Sequence, residues 1–334
     1  VVTAALQQFA EERGWYYPVD FASSGSSQIG GNIATNAGGI KVLRYGMTRH
    51  WVAGLKVVTG TGALLDLNRG LIKNNAGYDL RHLMIGSEGT LGLVVEATMR
   101  FSRRPHERRV LLLGAPDIPS ILGILRVFQE KSTLNAFEFM SEQAMSKVIN
   151  YGGLKRPLSS TSAYYALVEA ECPDEDSEIL LMSLFEQCLE LGLVEDGTMS
   201  QNRQQAAGLW RYREDISETI SRWTPYKNDV SVTVSRLPKF LREIEAVLEE
   251  HYPDFEIIWY GHLGDGNAHL NILKPDHISS ETFFKQCESV DHRIYEVVEK
   301  HQGSVSAEHG IGLLKRKALT YSRSNEEIDL MRAI

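Results

Sequence analysis

Glycine is concentrated in the first hundred residues of this chain, and that concentration restricts the fold more than any other feature. The glycine-rich stretches cover residues 25–39, 54–62 and 86–92, with short β-rich segments between them. Because glycine lacks a Cβ atom and tolerates positive φ, this density indicates backbone that approaches another group closely. After Pro105 the pattern changes to longer apolar-periodic segments. The chain of 334 residues is therefore expected to hold two domains, at roughly 150 residues per domain.

The segments after Pro105 predict an α+β domain with helices on one face of a largely antiparallel sheet. Strands are predicted at 109–114, 136–140, 164–171, 229–235 and 255–260. Helices are predicted at 118–131, 201–222, 238–251 and 280–301, together with one that Ser177 caps and Gly192 ends.

Composition narrows the class of protein. A net charge of -8 argues against nucleic acid as the main partner, because phosphate binding requires a basic surface. No apolar run reaches the roughly 20 residues of a membrane-spanning helix. The three cysteines form no Cys-x-x-Cys pair, which favours a reducing compartment and excludes a thiolate metal site. Without a visible targeting segment, the expected location is the cytoplasm of a bacterium or the mitochondrial matrix of a eukaryote. Because the chain starts at Val1 and stops at Ile334 in a helical pattern, both ends are expected to be truncated.

The stretch from Gly25 to Gly39 combines glycine with hydroxyl and carboxamide side chains. Successive backbone N–H groups in such a turn form an anion-binding concavity that suits a pyrophosphate. The spacing matches neither Gly-x-Gly-x-x-Gly nor Gly-x-x-x-x-Gly-Lys-Ser/Thr, which disfavours a nicotinamide cofactor and ATP. Composition alone leaves two interpretations open, a cofactor loop and a structural turn.

Five segments in chain order, residues 18–20, 25–32, 35–39, 44–46 and 85–92, resemble the FAD-binding domain of the vanillyl-alcohol-oxidase type of flavoproteins. The resemblance implies that they line the pyrophosphate and the flavin edge of FAD. The cofactor-binding residues it implies are Ser26, Ile29, Gly30, Gly31, Asn32, Thr35, Asn36, Gly38, Gly39, Glu88 and Gly89. Ser27 stands where family members commonly have Cys. The resemblance covers only the second part of that domain, so weak or absent FAD binding is expected of this chain alone.

Residues 260–271, Tyr-Gly-His-Leu-Gly-Asp-Gly-Asn-Ala-His-Leu-Asn, predict a hairpin in which His262 and His269 face each other. Strand alternation places Asn271 on the same side as His269. Two imidazoles on a hairpin are suited to share one Zn²⁺ ion. The alternative is a pair of histidines bonded to turn backbone.

Glu308 and His309 lie side by side in the glycine-rich segment Ser-Ala-Glu-His-Gly-Ile-Gly. Glu308 could complete a His₂Glu site with an open position for substrate, which is the pattern of catalytic zinc. His309 would then act as a base. From the residues alone, a solvated loop remains an alternative.

The two segments together resemble the active site of FAD-linked 2-hydroxyacid dehydrogenases. The resemblance implies that His262, His269 and Glu308 bind the metal, that His309 is the general base and touches substrate, and that Asn271 binds the substrate carboxylate.

Arg213, Ser217 and Lys227 are candidates for holding the far end of the substrate. Arg213 and Ser217 have the i, i+4 spacing of one helix face. An arginine fork with a lysine charge and a hydroxyl suits a distal carboxylate. This set, together with residues 136–140 and 196–199, resembles the subgroup of D-2-hydroxyglutarate dehydrogenases. That subgroup has Thr where this chain has Ser217. The alternative for Arg213 is a solvated helix charge.

The resemblance implies FAD-dependent, zinc-assisted oxidation of D-2-hydroxyglutarate, or a similar D-2-hydroxydicarboxylate, to the 2-oxo acid. The alternatives are a D-lactate or glycolate dehydrogenase and a non-catalytic flavin-binding subunit of an oxidase complex. The implied electron acceptor is an electron-transfer flavoprotein or a quinone-linked carrier, and the assembly is compatible with a homodimer. The predicted division is an FAD-binding domain over 1–104, a substrate domain over 105–300, and an active-site segment over 301–334 that returns to the FAD domain.

Overall fold

The computed structural model describes all 334 residues, which divide into two compact units. Unit 1 contains residues 1–106 and 308–312, and unit 2 contains residues 107–307 and 313–334. No helix in either unit combines the length and the apolar character needed to cross a membrane.

Unit 1 is built around a three-stranded antiparallel sheet. The strands of unit 1 are β1 (Trp15–Tyr16), β2 (Val52–Thr59), β3 (Leu64–Leu67), β4 (Gly92–Met99) and β5 (Ser102–Arg103). Its helices are α1 (Thr3–Glu11), α2 (Ile29–Thr35), α3 (Val42–Tyr45) and α4 (Leu80–Met84). Strand β2 lies between β3 and β4, and β1 pairs separately with β5. The core includes Tyr17, Ile33, Leu55 and Val57. The stretch from Gly25 to Gly39 is therefore partly helical, because α2 occupies its centre.

Unit 2 is built around a seven-stranded antiparallel sheet in the order β10-β12-β11-β7-β8-β6-β9. The strands are β6 (Arg108–Ala115), β7 (Leu134–Ser141), β8 (Tyr164–Glu171), β9 (Asp196–Met199), β10 (Tyr226–Ser231), β11 (Ile257–Gly261) and β12 (Asn267–Ile272). The helices are α5 (Ile118–Lys131), α6 (Glu142–Gly152), α7 (Glu175–Glu190), α8 (Arg203–Glu214), α9 (Ile216–Ile220), α10 (Leu237–His251), α11 (Ser280–Lys300) and α12 (Asn325–Ala333). Every residue of β7 is buried, so both faces of the sheet are covered at its centre. The antiparallel sheet with its helices confirms the predicted α+β class.

Local capping explains where several helices of unit 2 begin. The Asp117 carboxylate accepts a hydrogen bond from the Ser120 N–H at the start of α5, which also has a proline in its first turn. Helix α7 is capped in the same way by Asp174, which accepts from the Ser177 N–H. Predicting Ser177 as the cap was wrong, because Asp174 is equally favoured as a cap and begins the helix one turn earlier.

The predicted helix over 201–222 is two helices. Helix α8 ends at Glu214 and α9 begins at Ile216, with Asp215 between them. The Asp215 side chain accepts two hydrogen bonds from the Arg211 guanidinium at this break. Arg213 therefore lies on α8 and Ser217 on α9, and Asp215 between them keeps right-handed helical angles, so their common face stays a prediction.

Candidate active site

The predicted histidine hairpin is present in unit 2. Strands β11 and β12 pair antiparallel with Tyr260 opposite His269, and a 3₁₀ turn over Leu263–Asp265 joins them. Gly266 ends this turn at a φ of 89°, where a Cβ atom would lie 2.0 Å from the Val232 carbonyl oxygen. The turn therefore requires glycine, and it brings the rings of His262 and His269 to a centroid distance of 5.2 Å.

Each histidine has a carboxylate at its Nδ1 atom. His262 Nδ1 lies 2.6 Å from Glu138 Oε1, and His269 Nδ1 lies 3.3 Å from Asp229 Oδ1. Both carboxylates are almost completely buried. With Nδ1–H donating to a carboxylate, Nε2 is the nitrogen that each ring can offer to a metal.

Sequence reasoning missed Glu138 and Asp229, because they come from strands far away in the chain. Asp229 faces His269 directly in the register of β10 with β12. The sequence did carry one signal for Glu138, which is its position between two phenylalanines in a strand. A carboxylate buried among aromatic side chains requires a partner.

Arg213 is buried, and its Nε–H donates to Glu138 Oε2 at 2.7 Å. Its guanidinium carbon also lies 4.7 Å from the centre of the Tyr260 ring. Arg213 is therefore part of a buried polar cluster and is not a solvated helix charge.

Lys227 and Asn271 lie on the neighbouring strands β10 and β12, and Ser217 lies on α9. The Lys227 ammonium donates to Ser217 Oγ at 3.3 Å, and Lys227 is the cross-strand partner of Asn271. Desolvation lowers the pKa of Lys227 below that of an ordinary lysine. Asn271 is 1% exposed, and neither its amide oxygen nor its amide nitrogen has a hydrogen-bond partner. A buried amide without a partner is costly, so this side chain is suited to receive a polar ligand.

In unit 1, the first turn of α2 presents exposed backbone at Gly30 and Gly31. A Cβ atom at either position would meet no atom of the chain within 4 Å. Neither glycine is therefore required by the fold of the chain itself, whereas a ligand lying on this turn would require both.

The other residues in and next to α2 that are expected at the cofactor have contacts within the chain. Ile29 is in the core and Asn32 is buried, with its amide donating to Thr3 Oγ1 at 2.7 Å. Asn36 ends α2 in the left-handed conformation and accepts from the Arg49 N–H. The Ser26 and Thr35 hydroxyls donate to backbone carbonyls on the exposed surface. The cofactor roles of these residues stay predictions.

Gly38, Gly39 and Glu88 contact the Glu308–Gly312 segment, which belongs to the same unit. The Gly39 N–H donates to Glu308 Oε1 at 2.8 Å, and a Cβ atom on Gly38 would lie 2.9 Å from that oxygen. Glu88 accepts from the Ile311 and Gly312 N–H groups at 2.9 and 2.7 Å. Its neighbour Gly89 has a φ of 74°. The sequence analysis assigned these residues to the cofactor alone and did not predict their contacts with Glu308–Gly312. His309, in this segment, is exposed.

Comparison with known proteins places the chain in a family. The family described as FAD linked oxidases, C-terminal domain, matches residues 104–334, and an FAD binding domain matches residues 1–68. The chain is 60% identical to a D-2-hydroxyglutarate dehydrogenase of Stutzerimonas stutzeri over 100% of its own length and 72% of that protein. It is 52% identical to the enzyme of the same name from Xanthomonas citri, over 99% of its own length and 70% of that protein.

The chain belongs to the FAD-linked D-2-hydroxyacid dehydrogenases. A solved structure of p-cresol methylhydroxylase with substrate bound is similar in fold to this dehydrogenase, with a TM-score of 0.72 and 14% sequence identity. The alignment covers 100% of this chain and 72% of the methylhydroxylase chain. The predicted vanillyl-alcohol-oxidase type of fold is thereby confirmed, as is FAD as the cofactor of the family.

Proposed function

We propose that this dehydrogenase oxidises D-2-hydroxyglutarate, or a similar D-2-hydroxydicarboxylate, to the 2-oxo acid, using FAD and a zinc ion. The observation that carries the proposal is in unit 2. There, His262 and His269 are each paired with a buried carboxylate, and the carboxylate at His262, Glu138, also binds a buried arginine. Histidines of this kind suit a metal, and a buried guanidinium suits a second carboxylate on the substrate.

The donor set fits zinc. His262, His269 and Glu308 offer two imidazole nitrogens and one carboxylate oxygen. Three protein ligands of this type leave a coordination position for substrate. Chain connectivity also supports Glu308 as the third ligand, because the preceding residue, Ala307, donates its N–H to the Asp229 carbonyl at 3.2 Å. Asp229 is the residue whose side chain supports His269.

The exposed glycine backbone fits FAD. Gly30 and Gly31 offer N–H groups in the first turn of α2, and substitution at either position would fill space that the chain leaves open. Backbone N–H groups of such a turn bind phosphate oxygens. Gly30 and Gly31 would accordingly hold the pyrophosphate of FAD.

The chemistry divides among a few residues. Bound zinc would acidify the C2 hydroxyl, and FAD would take up the C2 hydrogen with its two electrons. His309 accepts the hydroxyl proton as general base. The Asn271 amide donates to the carboxylate next to C2. Arg213 and Lys227 bind the distal carboxylate, with Ser217 positioning the ammonium of Lys227.

This assignment favours a dicarboxylate over D-lactate or glycolate. Neither of those acids has a second carboxylate to accept from the Arg213 guanidinium and the Lys227 ammonium, so only a dicarboxylate gains these charge-assisted hydrogen bonds. The expected acceptor of electrons from the flavin stays an electron-transfer flavoprotein or a quinone-linked carrier, and a homodimer stays an expectation.

Metal analysis of purified variants tests the zinc site. His262→Gln and His269→Gln should each remove the zinc that the wild-type holoenzyme holds in about one equivalent. His301→Gln is a matched control, because His301 is also buried and also paired with a carboxylate, Glu243 at 3.0 Å. Loss of zinc in the His301 variant, or retention in both of the others, would contradict the proposed ligand set.

A further inference from the structure

Glu138 is a buried carboxylate that is neither a proposed metal ligand nor a proposed substrate-binding residue. It lies in β7, the strand in which all eight residues are buried. Its own side chain is 1% exposed. A carboxylate is retained in such a place only when both of its oxygens are satisfied.

The two oxygens of Glu138 serve two different groups. Oε1 lies 2.6 Å from His262 Nδ1, and Oε2 accepts the Arg213 Nε–H at 2.7 Å. Both partners are themselves buried, with side chains 7% and 8% exposed. Charge-assisted hydrogen bonds of this length between buried groups fix the orientation of both partners.

The contact with Arg213 determines what its guanidinium can bind. Because Glu138 takes the Nε–H, the remaining four N–H donors are those of the two Nη atoms. These form the planar end of the fork that binds a carboxylate through two parallel hydrogen bonds. The Tyr260 ring at 4.7 Å restrains the plane of the same guanidinium.

We infer that Glu138 is a positioning residue that orients the metal-binding imidazole of His262 and the substrate-binding guanidinium of Arg213 at the same time. Zinc binding and recognition of the distal carboxylate then depend on one side chain. The inference rests on the proposed function and deepens it. It identifies the physical link between the end of the substrate that reacts and the end that is recognised.

Asp229 provides a matched comparison in the same unit. It supports His269 as Glu138 supports His262, through Oδ1 at 3.3 Å from Nδ1. The same oxygen accepts from the Asn267 amide at 2.9 Å. Besides its histidine, Glu138 binds the Arg213 guanidinium, whereas Oδ1 of Asp229 binds the Asn267 amide, so the two carboxylates join their histidines to different side chains.

Replacing each carboxylate by its amide tests whether Glu138, unlike Asp229, orients both a histidine and Arg213. Glutamine at 138 keeps the size of the side chain but has one acceptor oxygen, and its NH₂ group would face the other donor. Either His262 or Arg213 is then left opposite an N–H, in a place from which water is excluded. Glu138→Asp keeps the charge but is one methylene shorter, so that it cannot reach both donors.

The experiment uses the FAD-loaded holoenzyme and four proteins: the wild type, Glu138→Gln, Glu138→Asp and Asp229→Asn. Zinc affinity is measured by competition with a chromogenic chelator. KM is then measured for D-2-hydroxyglutarate and for D-lactate at saturating zinc. Flavin absorbance and thermal unfolding verify that each protein is folded, and Glu138→Asp serves if the glutamine variant does not fold.

We expect both Glu138 variants to weaken zinc binding about 10–100-fold. They should also raise the KM for D-2-hydroxyglutarate about 10-fold relative to that for D-lactate. Asp229→Asn should weaken zinc binding to a similar extent and leave the ratio of the two KM values at its wild-type value. A Glu138 variant that behaves like Asp229→Asn, or that changes neither property, would overturn the inference. A wild-type protein that holds no zinc, or that shows no preference for the dicarboxylate, would overturn the proposed function itself and the inference with it.

Discussion

The candidate cofactor residues of unit 1 contribute mainly backbone, whereas the candidate catalytic residues of unit 2 contribute side chains. Gly30 and Gly31 present N–H groups at positions where the chain leaves open space. In unit 2, His262 and Arg213 are buried and bound to the carboxylate of Glu138. A backbone site depends on the absence of side chains, and a side-chain site depends on partners that satisfy each buried polar group.

The largest effect should come from His309, which belongs to unit 1 and is the proposed general base. His309→Ala should lower kcat by about 10²–10⁴-fold, because a positioned general base contributes this much. Zinc content should remain that of the wild type, since Glu308 is the assigned ligand. Loss of zinc in this variant would show that ligand and base have been assigned to the wrong residues.

The next effect concerns the charge of the substrate clamp in unit 2. Arg213→Gln keeps a donor for Glu138 but removes the guanidinium. It should lower kcat/KM for D-2-hydroxyglutarate about 10–100-fold, because a charge-assisted hydrogen bond contributes about 1.5–3 kcal/mol. Steady-state kinetics should show a much smaller change for D-lactate. Equal losses for the two substrates would remove Arg213 from the recognition of a distal carboxylate.

Substitution by alanine should have different effects at two glycines of unit 1, because one glycine is required by the fold and the other is proposed to bind the cofactor. Gly39 has a φ of 105°, and a Cβ atom there would lie 2.1 Å from the Asp20 carbonyl oxygen. Gly39→Ala should therefore lower the free energy of unfolding by about 1–3 kcal/mol. Gly30→Ala should preserve stability, because the position is helical and open, and should instead weaken FAD binding in a fluorescence titration. If Gly30→Ala binds FAD as tightly as the wild type, the pyrophosphate does not lie on this turn.

The smallest effect concerns a buried carboxylate of unit 2 outside the candidate site. Burial raises the pKa of Asp291 to about 6, even though the Tyr226 hydroxyl donates to it. Because this pKa lies above that of an unfolded aspartate, the folded state binds the proton more tightly. Stability should therefore fall as the pH rises from about 4 to about 6. Asp291→Asn lacks this titrating group. Its free energy of unfolding, relative to that of the wild type, should therefore rise by about 1–3 kcal/mol from pH 4 to pH 8. Urea unfolding at both pH values measures the gain, and a pH-independent difference would contradict it.

Local sequence signals predicted a large part of the fold. The predicted helix over 118–131 and strand over 164–171 have these bounds in the structure, because their periodicity and flanking residues agree. The prediction was wrong where two local signals competed. Asp174 and Ser177 are both good caps, and Asp215 interrupts a segment whose composition favours one helix.

The candidate site was predictable only in part, because some of its contacts join residues that are distant in the chain. His262 and His269 are close in the chain, so hairpin geometry alone brings them together. Glu138 and Arg213 are 75 residues apart and meet only through tertiary packing. A buried charge indicates in the sequence that a partner exists, but it does not say which residue the partner is.

Anaerobic flavin bleaching by the holoenzyme tests whether a zinc-dependent oxidation of D-2-hydroxyglutarate reduces the flavin. The oxidised flavin absorbance is followed after addition of D-2-hydroxyglutarate, L-2-hydroxyglutarate or D-lactate, each with and without prior treatment with a chelator. We expect fast bleaching by D-2-hydroxyglutarate alone, which the chelator abolishes and added zinc restores. Bleaching that the chelator does not affect, or that D-lactate produces equally fast, would contradict it.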